Sequence, residues 1–285
     1  MDDDELVARV AAAHGAVRTS ALCRSRAERR AIQRLSDAGR LVPHPQHVVS
    51  LPEADRRVVL ARRLGGLICC DHGLAAAGLP VRDKPGRRVH LLSPDDPARA
   101  VLGAGRVTIH QDHRVTVDPL GSPFAKGADL LLTHMRCAVE VDALIALDAA
   151  LRTGAVSRSE LLSHLPGKRN ARLRAVVRRA DPRARSLLET IARYDLEEAG
   201  VFPEVAAPSP AGELDLLLGG RLDVETDGHQ YHSSWEDWTH DRFRDQRLLA
   251  AGITPVRLTS QQVLARQTPW IVEPVARRLG CWPTP

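Results

Sequence analysis

Apolar residues recur at helical spacing near the start of the chain, through its middle and towards its end, with short alternating runs between. Glu5–His14 is one such helical stretch, and Gly15 stops it. Thr19 is placed to cap a short second helix. Residues 25–38 predict a third, with Ala27, Ala31, Ile32 and Leu35 along one side and Gly39 as its end. Residues 40–50 alternate loosely, as a two-stranded ribbon does. Three helices and a ribbon predict a winged helix-turn-helix over 1–52.

Residues 53–180 read as a mixed α/β connector. Helices are predicted over 54–64, 73–77, 129–151 and 157–165, the last opened by a Ser157–Glu160 capping box. Strands are predicted over 87–92 and 106–110. From 181 the pattern is helix (186–199), two strand-length runs (213–218 and 222–226), helix (238–251), strand (253–258) and a last helix from about 260. The expected class is therefore α/β in three parts, 1–52, 53–180 and 181–285.

The two runs around Gly219-Gly220 carry the chemistry. A two-residue loop pairs Asp215 with Val224 and mixes acids with leucines on both faces. A three-residue loop including Arg221 sets Leu218 opposite Leu222 and Asp215 opposite Glu225. Leu214, Leu216, Leu218, Leu222 and Val224 then share one face, and Asp215, Asp223, Glu225 and Asp227 the other. The hydrophobic pattern favours the longer loop. Clustered carboxylates repel one another unless a cation sits among them, and oxygen ligands without thiolate suit Mg²⁺ or Mn²⁺. The plainer alternative is the solvated face of an edge hairpin.

The chain has 285 residues and a formal charge of +5, with lysine only at 84, 126 and 168 among its 40 cations. That bias towards arginine suits contact with phosphate. Residues 24–40 hold Arg24, Arg26, Arg29, Arg30, Arg34 and Arg40 against Glu28 and Asp37, a local +4. Residues 152–185 hold ten cations, Arg172 and Arg178 among them, against Glu160 and Asp181, a local +8. Both stretches are expected to face DNA, the alternative being a solvated helix face. No apolar run is long enough for a membrane span, and the acidic opening Met-Asp-Asp-Asp-Glu is unlike a signal peptide, so a cytoplasmic protein is expected. The five cysteines (23, 69, 70, 137 and 281) lack finger spacing, so free thiols and no zinc site are expected. His72, His110, His113 and His134 read as packed or surface residues. Whether the connector also makes a homodimer is left open.

Ser186-Leu-Leu-Glu189, Gly212-Glu-Leu-Asp215, Glu225-Thr-Asp-Gly228, His232 and Asp241-Arg-Phe-Arg-Asp245, with Leu248–Gly252 and Val256-Arg257, resemble very-short-patch-repair endonucleases and their relatives in the PD-(D/E)XK superfamily. The resemblance covers about 185–279 and implies a restriction-endonuclease-like α/β domain. It implies metal ligation by Asp215 and Glu225, with Asp227 as a further ligand or orienting group. Asp227 stands where the superfamily has its signature lysine, so His232 or His229 is expected to supply the acid or base. Glu189 reads locally as a capping residue, and its family counterpart lies near the metal. Arg244 is expected to neutralise a phosphate oxygen. Tyr231, Trp235 and Trp238 lie beside the acids and are expected to pack against the sheet, with stacking on DNA as the alternative. Residues 15–49, with His72 and Leu74–Leu79, resemble the DNA-binding domain of AbiEi-type antitoxins. The expected function is thus a Mg²⁺-dependent DNA endonuclease acting at a structure, mismatch or lesion. The rival is a DNA-binding regulator with a non-catalytic nuclease fold. An RNA-processing role has no aromatic signature behind it.

Overall fold

The computed structural model describes residues 3–83, 86, 88–95, 107–227 and 235–283, and for 227 and 235–241 the backbone alone. The protein is mixed α/β with three small open sheets. It divides into two compact units, Met1–Ala138 and Val139–Pro285.

The first unit opens with α1 (Asp3–Ala12), β1 (Ala16–Arg18), α2 (Thr19–Leu22), α3 (Arg26–Asp37), β2 (Val42–His44) and β3 (Val48–Ser50). The strands form an antiparallel sheet in the order β1-β3-β2. A capping box starts α3: Glu28 N donates to Ser25 Oγ at 3.2 Å, and Ser25 N donates to Glu28 Oε2 at 2.8 Å. The helix turns Ala31, Ile32 and Leu35 into a core with Leu6, Val10, Leu22 and Leu41. Thr19 is not a cap. It is the first residue of α2, and Arg18 at the N-cap supplies no side-chain bond.

The unit continues with α4 (Arg56–Leu64), β4 (Leu67–Ile68), α5 (Cys70–Ala76), β5 (Val89–Ser93), β6 (Val107–Gln111) and α6 (Gly127–Cys137). In the second sheet β4 pairs antiparallel with β5, and β5 pairs parallel with β6. A further core gathers Val58, Val59, Ala61, Ile68, Val89 and Leu91. Arg62 is 3% exposed and donates to the carbonyls of Ala16, Asp118 and Gly121 at 3.2, 3.0 and 2.5 Å. It thereby ties the first sheet to the loop ahead of α6.

The second unit runs α7 (Glu140–Arg152), α8 (Arg158–Ser163), α9 (Ala171–Arg179), α10 (Leu187–Glu198), β7 (Glu204–Ser209), β8 (Gly212–Leu218), β9 (Leu222–Asp227), α11 (Trp235–Ala250), β10 (Thr254–Thr259), α12 (Ser260–Leu264) and α13 (Thr268–Arg278). Its sheet has the order β10-β9-β8-β7. Strands β7, β8 and β9 pair antiparallel, and β10 pairs parallel with β9 after the α11 crossover. Leu188, Ile191, Ala192 and Leu196 of α10 meet Leu216, Leu218, Leu222, Val224 and Leu258 of the sheet, and Val141 and Ile145 of α7 join the same core.

Two expectations change here. The helix predicted over 129–151 is two helices, because Ala138 and Val139 are extended (ψ 163° and 157°). No Gly or Pro announces the break, but Glu140 and Asp142 then lie in the first turn of α7, where the helix dipole favours acids. The predicted connector is divided at this break, its later helices belonging to the second unit. The basic stretch 152–185 is also not a free cationic face. Arg158 donates to the carbonyls of Val177, Arg178 and Ala180 at 2.7–2.8 Å, closing the end of α9. Arg174 holds the carbonyls of Leu165 and Gly167, and Arg152 that of Ala184. Arg179 pairs with Glu140, Glu197 and Glu198, Arg183 with Asp181, and Arg185 with Glu213 and Asp215. Lys168, Arg169, Arg172 and Arg178 remain exposed without an ion pair among the described residues.

At the centre of this helical layer Arg193, 2% exposed, donates to Asp148 Oδ2 at 2.9 Å, Glu197 Oε1 at 2.7 Å and the Arg179 carbonyl at 3.1 Å. Asp148 also accepts from Asp181 N at 2.7 Å and Thr190 Oγ1 at 2.9 Å. Removing one partner of a buried pair leaves the other uncompensated. Arg193→Met is expected to cost about 3–5 kcal/mol in urea unfolding, whereas Arg172→Ala on the exposed face should change stability by less than about 0.5 kcal/mol.

Candidate functional site

The β8–β9 turn takes the three-residue form. Leu218 lies opposite Leu222 and Leu216 opposite Val224, and Arg221 N donates to the Leu218 carbonyl at 3.0 Å. Gly219 and Gly220 have φ of +54° and +69°, which side-chain-bearing residues adopt only with strain. A Cβ on Gly219 would also lie 2.7 Å from Cys281 Cβ. The register, continued, sets Asp215 across from Glu225. Consistent with this, Thr226 donates to Asp215 Oδ2 through its N at 3.0 Å and its Oγ1 at 3.3 Å. Leu216, Leu218, Leu222 and Val224 share the main core, while Leu214 is buried in a smaller cluster with Ala207, Leu248 and Ile253.

The acidic face is not a solvated edge. Asp223 is fully buried and Glu225 is 8% exposed. No donor among the described residues reaches either oxygen of Asp223. Its carboxyl meets that of Glu225, and two carboxyls bond only by sharing a proton. Burial first, and the Glu225 and Asp215 charges after it, push Asp223 up to about 8, against the opposing pull of Arg244. Glu189, 6% exposed, is likewise raised by burial and further by Asp215, although Arg185 N donates to its Oε2 at 2.8 Å. Its own N donates to Ser186 Oγ at 3.0 Å, so capping and proximity to the acids coexist in one residue.

Arginines balance these charges. Arg185 Nη2 donates to Asp215 Oδ1 at 3.0 Å and its Nη1 lies 2.8 Å from Glu213. Arg244, on α11, pairs with Glu225 and donates to the Glu213 carbonyl at 2.9 Å. Arg257, on β10, lies 3.4 Å from Glu225 and donates to Asp245 at 2.8 Å. Glu189, Asp215, Glu225 and Arg244 are thus brought together. The backbone of Asp227 ends β9, but its side chain, the side chains of Trp235, Trp238 and Asp241, and all of His229, Tyr231 and His232 lie outside the described residues. Three participants were given no role from sequence. Asp223 was placed on the acidic face and Arg257 fell within the residues of the resemblance, whereas nothing local marks Arg185.

In the first unit Arg24, Arg26, Arg29 and Arg30 are exposed and have no acidic partner among the described residues. Arg34 and Arg40 are also exposed but pair with Asp3 and Asp4 at 2.8 and 2.6 Å. The five cysteines are free. No zinc site was expected from the cysteine spacing, yet the fold assembles a set of zinc-type ligands. Among the described residues, Cys70, His90, His110 and Cys137 bring their ligand atoms within 4.8 Å of one another, and no such set includes Asp215 or Glu225. His72 and His134 are packed and His113 is exposed, as expected. No described helix is long and apolar enough to cross a membrane. The chain matches no protein-family model and no curated protein.

Asp223 sets a pH dependence. Its folded-state value lies above the unfolded value near 4, so between about 4 and 8 the native state holds a proton that the unfolded chain has released. Stability should therefore fall as pH rises through that window. Urea unfolding in EDTA is expected to show the slope, and Asp223→Asn to flatten it and to be the more stable protein above pH 8.

Proposed function

We propose that the protein is a Mg²⁺- or Mn²⁺-dependent DNA endonuclease whose second unit cuts and whose first unit holds DNA. The observation carrying this reading is the placement of Asp215 and Glu225 on adjacent antiparallel strands of one face, beside a buried Asp223 without a donor among the described residues. An all-oxygen set of this kind suits a hard divalent cation. The order of helix α10, strands β7 to β9, crossover α11 and parallel β10 agrees with a restriction-endonuclease-like domain. The order of α1 to β3 agrees with a winged helix-turn-helix.

Asp215 and Glu225 would hold the metal, with Asp227 and Glu189 completing or orienting the set. The bound ion supplies a water of lowered pKa and neutralises charge on the phosphorane. His232 or His229 takes or returns the proton near neutral pH. Arg244 would contact a non-bridging phosphate oxygen and Arg185 a neighbouring one, the two guanidiniums that now face Glu225 and Asp215. Arg24, Arg26, Arg29 and Arg30 grip phosphates along α3. Cleavage at a mismatch, lesion or other DNA structure is the expected specificity class.

A second reading, a DNA-binding regulator of antitoxin type with a silent nuclease fold, is favoured by one observation. Asp215 and Glu225 already have counter-ions within the protein, in Arg185 and in Arg244 with Arg257.

Plasmid and mismatched-duplex cleavage in Mg²⁺ or Mn²⁺, with EDTA controls, separates the two. Metal-dependent nicking should fall by about 10²-fold or more in Asp215→Ala and in Glu225→Ala, while duplex binding is unchanged or tighter. Binding without cleavage on any substrate establishes the regulator. In either case Arg26→Ala and Arg30→Ala should each weaken binding and reduce the salt slope by about 1 if each contacts one phosphate.

A further inference from the structure

We propose that Cys70, His90, His110 and Cys137 form a closed tetrahedral Zn²⁺ site that cross-links two helices and two strands of the first unit. The inference is independent of any nuclease activity. Cys70 is the first residue of α5 and Cys137 the last of α6. His90 and His110 lie on β5 and β6, whose parallel register pairs His90 with Thr108 and Leu92 with His110. The two imidazoles are therefore diagonal neighbours on one face of the sheet, opposite the face where Val89 and Leu91 enter the core. Their rings stack with centroids 5.2 Å apart.

The distances lie close to those of a tetrahedral metal site. With Zn–S near 2.3 Å and Zn–N near 2.0–2.1 Å, a tetrahedral site places sulfur about 3.5 Å from nitrogen and its two nitrogens about 3.3 Å apart. Here Cys70 Sγ is 3.6 Å from His110 Nε2, Cys137 Sγ is 3.4 Å from His90 Nδ1, and the two ring nitrogens are 2.9 Å apart. All four ligand atoms fall within 4.8 Å of one another. Two thiolates and two neutral imidazoles select zinc over magnesium or calcium, and their negative charge cancels that of the ion. Four protein ligands leave no open position, so the site is structural rather than catalytic. Cys70 itself has φ +50°, an unusual conformation for a residue with a side chain. Strain of this kind persists where the surroundings impose it, and here it accompanies a thiol that joins the other three ligands.

Cysteine spacing conceals the site. The ligands are separated by nineteen, nineteen and twenty-six residues, with no close CxxC or HxxxH pair. Only the pairing of β5 with β6 and the placement of the ends of α5 and α6 bring them together.

The test uses the full chain, reduced and freed of metal, and titrates it with Zn²⁺ and with Co²⁺ as a spectroscopic substitute. The expected result is one equivalent bound per chain. Cobalt should give thiolate charge-transfer absorption and the intense visible bands of a tetrahedral ion, and zinc should raise the thermal midpoint. Cys137→Ser, at an exposed position, and His90→Ala should lose the tetrahedral signal, whereas Cys281→Ser should keep it. Failure of the reduced wild-type chain to take up either ion overturns the proposal, including a case in which Cys70 and Cys137 purify as a disulfide. An unchanged cobalt spectrum in both ligand variants also overturns it.

Discussion

The buried pair of Arg193 and Asp148 is the constraint around which the second unit is arranged. Two charges this far from water are tolerable only because most of their donors and acceptors are matched, Arg193 Nε being the exception among the described residues. Asp148 takes two bonds from Arg193 and Thr190 on α10 and one from the backbone at Asp181. Arg193 spends its other nitrogen on Glu197 and the end of α9. These bonds fix α7, α9 and the 181–186 turn against α10, and α10 is the helix on which the apolar face of the sheet rests. The start of α10 carries Ser186 and Glu189 and follows Arg185, so the same network sets the backbone from which Arg185 reaches Asp215.

This arrangement explains why a count of cations misjudges 152–185. A guanidinium carries donors in a fixed fork, well suited to gathering several carbonyls or carboxylates at once. Arg158, Arg174 and Arg179 each do this inside the protein. Six of the ten cations are thus held by carbonyls or acids of the fold, and Lys168, Arg169, Arg172 and Arg178 are left exposed. In α3 the balance differs. The capping box occupies Glu28, Asp37 receives Gln33 Nε2 at 2.8 Å, and Arg26, Arg29 and Arg30 are left facing solvent. Sign and density of charge look alike in the two sequences. What separates them is whether carbonyls and acids of the fold lie within reach.

Much of the fold was legible. Period-two alternation, with two glycines suited to positive φ, was sufficient to choose the β8–β9 register and with it the face on which Asp215, Asp223 and Glu225 lie. Capping residues Ser157 and Ser186 marked their helices correctly. Strands β1, β4 and β7 were missed because two or three residues carry no period, and β7 carries a proline. The break at Ala138–Val139 was missed because no Gly or Pro marks it. The Cys/His set was missed for a related reason. Its ligands are adjacent only after β5 and β6 have paired, and no local pattern encodes a parallel pairing.

The acidic face was read correctly in position, and its burial tells against the alternative of a solvated edge. A solvated hairpin edge would leave its carboxylates separately hydrated, whereas Asp223 and Glu225 are buried close enough to share a proton. Arg244 and Arg257 offset the charge of Glu225 but supply no donor to either oxygen of Asp223. A purely structural cluster would gain stability by replacing Asp223 with an apolar residue. Below about pH 8 the proton that Asp223 keeps limits that cost within the protein itself. In the proposed reading Asp215 and Glu225 would hold a divalent cation at this face, and Arg185 and Arg244 would lie beside it. Whether a metal or these arginines hold the carboxylates is thus the point at which the proposed nuclease and its rival, the regulator, part.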